Sequence, residues 1–137
     1  MSDIVEKIKK LTENTLISNL GIEITSIEEG KIIGTMPVDA RTVQSYGILH
    51  GGASAAFAET LGSIGSNVLL FGSSKIPVGL QLNANFIKSV SSGVVTGVAE
   101  LLHKGRTTHI WNITITGEKN ELICVSRLTV IVKDQNG

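Results

Sequence analysis

From about His50 to Leu70 the chain carries a helix-length run of apolar and small residues with a single charge, Glu59. It is entered through the glycine-punctuated stretch Tyr46-Gly47-Ile48-Leu49-His50-Gly51-Gly52 and left through Phe71-Gly72-Ser73-Ser74, where Gly suits a helix C-terminus. Phe57, Leu61, Ile64 and Val68 fall at i, i+4, i+7 and i+11, a narrow stripe suited to lying on a sheet. Gly52, Ala55, Ala56, Glu59, Gly62, Ser63 and Ser66 are assigned to the opposite side. Apart from Glu59 that side holds only small residues, which permit close approach of a second backbone or a ligand. Burying an unpaired carboxylate is costly, so Glu59 is either exposed on one face or kept for chemistry.

Before this helix, Ile4, Ile8, Leu11 and Leu16 recur at roughly helical spacing from about Asp3 to Ser18, predicting a short surface helix with Lys7, Lys9 and Lys10 between them. Two short strand runs follow, Ile22 to Ile27 and Lys31 to Pro37, separated by Glu28-Glu29-Gly30. After the helix the periodicity changes to two. Val78, Leu80, Leu82, Ala84 and Phe86 alternate with Gly79, Gln81, Asn83 and Asn85. Ser91-Ser92-Gly93 leads into Val94 to Leu102, and His103-Lys104-Gly105-Arg106 into Thr107 to Thr116, where His109, Trp111, Ile113 and Ile115 share a face. Gly117-Glu118-Lys119-Asn120 leads into Leu122 to Val132. Consecutive hairpins of this kind predict an antiparallel meander, and the sum is an α+β domain with one long helix packed on one antiparallel sheet.

The 137 residues are expected to form one domain, 1–137, with its core over about 20–133. Twelve basic residues balance twelve acidic ones, so no net field draws the chain to nucleic acid or an anionic membrane. Scarce aromatic residues argue against base-stacking platforms. Cys124 stands alone, which excludes an internal disulfide and a cysteine-rich metal site; in an apolar strand it reads as a packed thiol. No signal segment and no run long enough for a bilayer is present, so a soluble, cytoplasmic protein is expected. His103 and His109 have no partner at metal-ligand spacing, and no metal is expected.

The layout, together with Gln44, Gly47, His50-Gly51-Gly52, Glu59 and Ser63, resembles the hotdog-fold acyl-CoA thioesterases. More narrowly it is similar to the glutamate-type 4-hydroxybenzoyl-CoA branch, which includes 1,4-dihydroxy-2-naphthoyl-CoA and phenylacetate-pathway thioesterases. The likeness runs from about Leu20 to Val132, with Met36-Pro37-Val38-Asp39-Ala40-Arg41-Thr42 and Asn83-Ala84-Asn85 as further signatures.

The resemblance implies hydrolysis of acyl-CoA thioesters, aryl-acyl ones foremost, to free acid and coenzyme A. The Gly51 amide would polarise the carbonyl, and Glu59 would act as nucleophile or general base. Gln44 and His50 would orient substrate or water, and Ser63 would hydrogen-bond the carboxylate or the water; His50 could equally be a helix cap. Unsatisfied N–H groups and the dipole at a helix start suit an oxyanion on physical grounds too. Gly52 would leave room for the thioester. Phe86, Lys88 and Ser89, with the turn His103, Lys104, Gly105 and Arg106, are expected to form the coenzyme-binding rim, and Gly79 to line the same channel. Gln81 and Asn83 could instead pair at a dimer interface. No cofactor is implied, because coenzyme A is part of the substrate. Menaquinone-type relatives usually carry His where this chain has Phe86. The less polar ring weakens a dihydroxynaphthoyl assignment and suits a plain aryl or medium aliphatic acyl group.

Gly51 and Glu59 are eight residues apart, ~12 Å along a helix, too far for one helix to place both on a single thioester carbon. Two antiparallel helices meeting at their small faces would solve this, giving a homodimer with composite sites, and the resemblance implies a dimer of dimers. A hotdog hydratase is disfavoured, since its Asp and His pair at the start of the central helix is missing. The alternative from another class is a non-catalytic acyl-CoA-binding hotdog module acting as a sensor or regulatory subunit, which tight binding without turnover would reveal.

Overall fold

The computed structural model describes residues 2–135. The N-terminal segment forms two helices, α1 (Ser2–Thr12) and α2 (Leu16–Asn19), where one was expected. Asn14 adopts φ 59°, a left-handed conformation that Asn tolerates better than most residues and that stops α1. The Ser18 hydroxyl then accepts from the Thr15 N–H at 3.2 Å, favouring a fresh start over a continuous helix.

Strands β1 (Glu23–Glu28) and β2 (Lys31–Pro37) form a hairpin whose turn uses Gly30 at φ 82°. After the long helix α3 (Gly51–Leu69) come β3 (Lys75–Phe86), β4 (Val94–Lys104), β5 (Thr108–Thr116) and β6 (Leu122–Asp134). All six strands join one antiparallel sheet in the order β1-β2-β4-β5-β6-β3. The expected meander holds for β4, β5 and β6. It fails for β3, which pairs with β6 at the far edge and not with β4. Alternation identifies a strand but not its partner. Residues 87–93 carry the chain across three strand spacings, ~14 Å, well within the reach of seven extended residues. His103 and Lys104, expected in a turn, are the last residues of β4.

Helix α3 lies across one face of the sheet. Phe57 and Leu61 are fully buried and Ile64 nearly so, against Met36, Val95, Trp111, Ile113, Ile115 and Leu128. Burial of each large apolar side chain contributes about 1.5–3 kcal/mol. Gly62 and Ser66, assigned to the outer face from sequence, belong to the sheet side. A Cβ on Gly62 would stand 2.6 Å from Leu128 Cδ2, and one on Gly65 2.4 Å from Trp111 Cη2, so these glycines let the indole lie under the helix. The Trp111 Nε1–H donates to Ser66 Oγ at 2.8 Å, and Ser66 Oγ is 2.9 Å from His109 Nδ1, all three residues being buried. The indole can only donate, so Ser66 Oγ accepts from it, and the direction of the Ser66–His109 bond is set by the imidazole tautomer. Burial, with the nearby Lys104 and His103 charges, holds His109 below the usual histidine range. Cys124 is a buried thiol whose pKa is raised by that burial. Among the described residues, no helix is long and apolar enough to cross a membrane.

Candidate active site

The loop that delivers the chain to α3 is pinned at several points. Arg41 makes a two-pronged ion pair with Asp39, Nε to Oδ1 at 3.1 Å and Nη2 to Oδ2 at 2.7 Å, which holds the Asp39 carboxyl below the usual carboxylate range. The buried Thr42 hydroxyl donates to the Pro37 carbonyl at 2.7 Å, and the Thr42 carbonyl accepts the His50 N–H at 2.8 Å. Leu49 N–H bonds the Val90 carbonyl at 2.8 Å, which ties the helix entrance to the segment following β3. Gln44 and Gly47 close a tight turn, with Gly47 at φ 78°, and the Gln44 side-chain oxygen accepts the Tyr46 N–H.

His50 is the N-cap of α3, and its Nδ1 accepts the Gly52 N–H at 2.7 Å. The capping role left open from sequence is therefore real, and it places the ring proton on Nε2, free to meet a ligand. The Gly51 N–H makes no hydrogen bond among the described residues, so one donor at the positive end of the helix is unspent. The Phe86 ring packs over it: a Cβ on Gly51 would stand 3.2–3.3 Å from three ring carbons. Beside them is a cavity of about 280 Å³ that brings together Gln44, Gly51, Phe86, Lys88 and Ser89, five of the residues singled out from sequence. Ser54, one helical turn past Gly51, lines it as well. Sequence reasoning missed Ser54, which passes for a spacer in a run of Ala and Gly; its i, i+3 relation to Gly51 was the available signal.

Glu59 is exposed on α3, away from that cavity. Its carboxylate lies against Gly79 of β3, where a Cβ would stand 2.7 Å from Oε2. A β-bulge interrupts the β3–β6 pairing at the same place, between Gly79 and Gln81. Glu59 and Ser63 line a larger, mostly apolar groove of about 800 Å³ between α3 and the α1–α2 pair. Among the described residues the Ser63 hydroxyl makes no hydrogen bond to the carboxylate; the Ser63 carbonyl accepts from Asn67 Nδ2 at 3.0 Å.

Within one chain, the expected coenzyme rim is not a single patch. Phe86 pairs with Cys124, which pairs with Ile115, at one end of the sheet. Gly79 pairs with Val130, Val130 with His109 and His109 with Lys104 at the other. Lys88 and Ser89 therefore lie at the Gly51 end, and His103, Lys104, Gly105 and Arg106 at the Gly79 end. His109 stays inside the core in its bond to Ser66.

The site has an unspent amide at a helix start and a carboxylate two turns further on against a glycine. A free N–H at a helix start is a donor suited to polarising a carbonyl and a carboxylate is a group able to attack or to activate water; within one chain the two stand beside separate cavities. Residues 46–124 match the family model of the thioesterase superfamily. A proofreading thioesterase, EntH, of Klebsiella pneumoniae is 46% identical over 121 residues, covering 88% of each chain. The 1,4-dihydroxy-2-naphthoyl-CoA hydrolase of Escherichia coli K12 is 40% identical over 128 residues, covering 93% of each. The crystal structure of a thioesterase from Haemophilus influenzae superposes with a TM-score of 0.92 at 45% identity, covering 97% of this chain and 92% of that one. The match over the helix entrance, α3 and the sheet behind it settles the class: the chain belongs to the thioesterase superfamily and is a thioester hydrolase of the hotdog fold.

Proposed function

We propose that the chain hydrolyses acyl-CoA thioesters, aryl-acyl ones foremost, in composite sites made by two copies. The observation that carries this is the separation of the Gly51 N–H from Glu59 along one helix, each beside its own cavity. Bound at the α3 start, the thioester carbonyl takes a hydrogen bond from the Gly51 N–H. As base, Glu59 takes a proton from water; the hydroxide adds to the carbonyl carbon, and the helix start stabilises the oxyanion. Collapse breaks the C–S bond, and the coenzyme A thiolate takes up a proton as the free acid forms. As nucleophile, Glu59 displaces the thiolate to give a mixed anhydride that water then cleaves. Gln44 and the His50 Nε2–H orient substrate or water, Gly52 leaves room for the thioester, and the Ser63 hydroxyl is left to hydrogen-bond the water beside Glu59. Lys88, Ser89 and the His103, Lys104, Gly105, Arg106 segment meet the coenzyme. The coenzyme A thioester in the name of the Escherichia coli relative supports the substrate class.

The edge strand supports the dimer. Among the described residues β3 has no neighbour on its outer side, and Val78 and Leu80 are 40% and 62% exposed along it. Phe86 is opposite Cys124 and Gly79 opposite Val130, with Asn83, opposite Arg127, midway between. Antiparallel pairing of two β3 strands about Asn83 would bring the Phe86 and Gly51 end of one copy to the Gly79 and Glu59 end of the other.

The test is thiol release from benzoyl-, 4-hydroxybenzoyl-, dihydroxynaphthoyl-, phenylacetyl- and hexanoyl-CoA by the wild type and Glu59→Gln. Fast release on aryl substrates, lost in the variant, supports the proposal. Binding of coenzyme A thioesters without turnover by the wild type would overturn it in favour of a sensor.

A further inference from the structure

Of the polar side chains that line the cavity at the α3 start, only Ser54 is buried, at 2% exposure; Gln44 is half-buried, and Lys88 and Ser89 are exposed. Thr60 of the same helix spends its hydroxyl on the Ala56 carbonyl at 2.7 Å. Among the described residues the Ser54 hydroxyl makes no such bond, and no fully enclosed side-chain nitrogen or oxygen lacks a partner. The small exposed area of Ser54 therefore includes Oγ, which opens to the cavity that Ser54 lines. Leu49 and Ile123, buried in the same wall, have no polar side-chain atom to offer it. Buried hydroxyls are ordinarily paired, so one left facing a cavity marks a place for a ligand atom.

On the reading that the thioester carbonyl binds at the α3 start, we propose that the Ser54 hydroxyl is a second donor to its oxygen. With the Gly51 N–H it completes a two-donor oxyanion hole. Ser54 is three residues beyond Gly51 on the same side of the helix, and helical side chains lean over the preceding turn. Its Oγ is thus carried back toward the helix start. The same i, i+3 reach occurs at α2, where Ser18 Oγ takes the Thr15 N–H at 3.2 Å. At α3 both groups keep their hydrogens unspent beside one cavity, and one acceptor atom between them satisfies both. As water or Glu59 adds to the carbonyl carbon, charge builds on the oxygen and both hydrogen bonds strengthen; neither donor loses its proton. Withdrawn from bulk water, the hydroxyl is worth more to that charge than an exposed one. Lys88 and Ser89, exposed at the rim, are left for the coenzyme.

The test compares wild type, Ser54→Ala and Ser54→Cys in turnover of benzoyl-CoA and in binding of two stable analogues. One is the benzyl thioether of coenzyme A, which has no carbonyl. The other is the ketone with a methylene in place of the thioester sulfur, labelled with carbon-13 at the carbonyl. In Ser54→Ala, kcat should fall about 10²-fold. Ketone affinity should fall about tenfold, with thioether affinity and melting temperature unchanged, because the hydroxyl makes no bond within the fold. The infrared carbonyl band of the bound ketone should lie below its position in water for wild type and return toward it in Ser54→Ala. Ser54→Cys, similar in shape but a weaker donor, should fall between. Full turnover in Ser54→Ala, equal loss of ketone and thioether binding, or a lowered melting temperature would overturn the proposal. A shifted wild-type band that Ser54→Ala leaves in place would do the same. A wild-type band unmoved from its position in water would instead overturn the binding of the carbonyl at the α3 start.

Discussion

The carboxylate of Glu59 rests on the backbone of Gly79, so close that a methyl group there would stand 2.7 Å from Oε2. Helix and edge strand thus bring one charged group against bare backbone, and only a residue without a side chain leaves it that room.

Gly79→Ala should push the carboxylate aside at little cost to the fold, because the contact is the far end of a flexible, exposed side chain. A displacement near 1 Å at a reacting group costs up to about 100-fold, so kcat/KM should fall ~10–100-fold. Stability should stay within about 1 kcal/mol. Steady-state kinetics beside thermal melting checks both; unchanged kinetics would remove Glu59 from the reaction.

Gly51→Pro removes the amide hydrogen, and its ring also displaces Phe86, whose ring carbons would stand 3.2–3.3 Å from the new Cβ. Proline is favoured at the first helical position, and His50 already has φ −70° and ψ 131°, the conformation a residue before proline prefers. Turnover should drop about 10²–10³-fold with helix content retained by circular dichroism. Mixed and co-refolded with Glu59→Gln, it should regain about a quarter of wild-type activity, since heterodimers carry one intact composite site. Two inactive proteins that remain inactive together would place each site within one chain.

Ser66→Ala strands the Trp111 Nε1–H and His109 Nδ1 in the core and should cost about 1–3 kcal/mol in urea unfolding. Gly65→Ala improves helix propensity by ~1 kcal/mol. Its Cβ would nonetheless stand 2.4 Å from a fully buried indole, and overpacking of about 1–3 kcal/mol should win. A stabilised variant would mean that Trp111 can move.

His109 has a lowered pKa in the folded state, so below its ordinary 6.5 the unfolded chain binds more protons than the folded one. This contribution to stability is full above about pH 6.5 and declines as the pH falls toward the folded-state value. The melting temperature of wild type should fall between pH 7.5 and 5 more than that of His109→Gln, which keeps a polar partner for Ser66. Equal slopes in the two proteins would exclude His109 as the source.

Periodicity and turn chemistry determined much by themselves. The stripe of Phe57 and Leu61 marks the face of α3 that meets the sheet, and alternation in β5 predicts the burial of His109, Trp111, Ile113 and Ile115. The helix start at His50 and Gly51 follows from local capping preferences. These are properties of neighbours in the chain. The pairing of β3 with β6, and the burial of Gly62 and Ser66 under Trp111, required the folded molecule. A strand's alternation is the same whichever strand it joins, and a small residue on a helix reads the same beneath an indole as beside a ligand. The groove above Glu59 arises from where α1 and α2 come to rest, which long-range packing decides and no local pattern records.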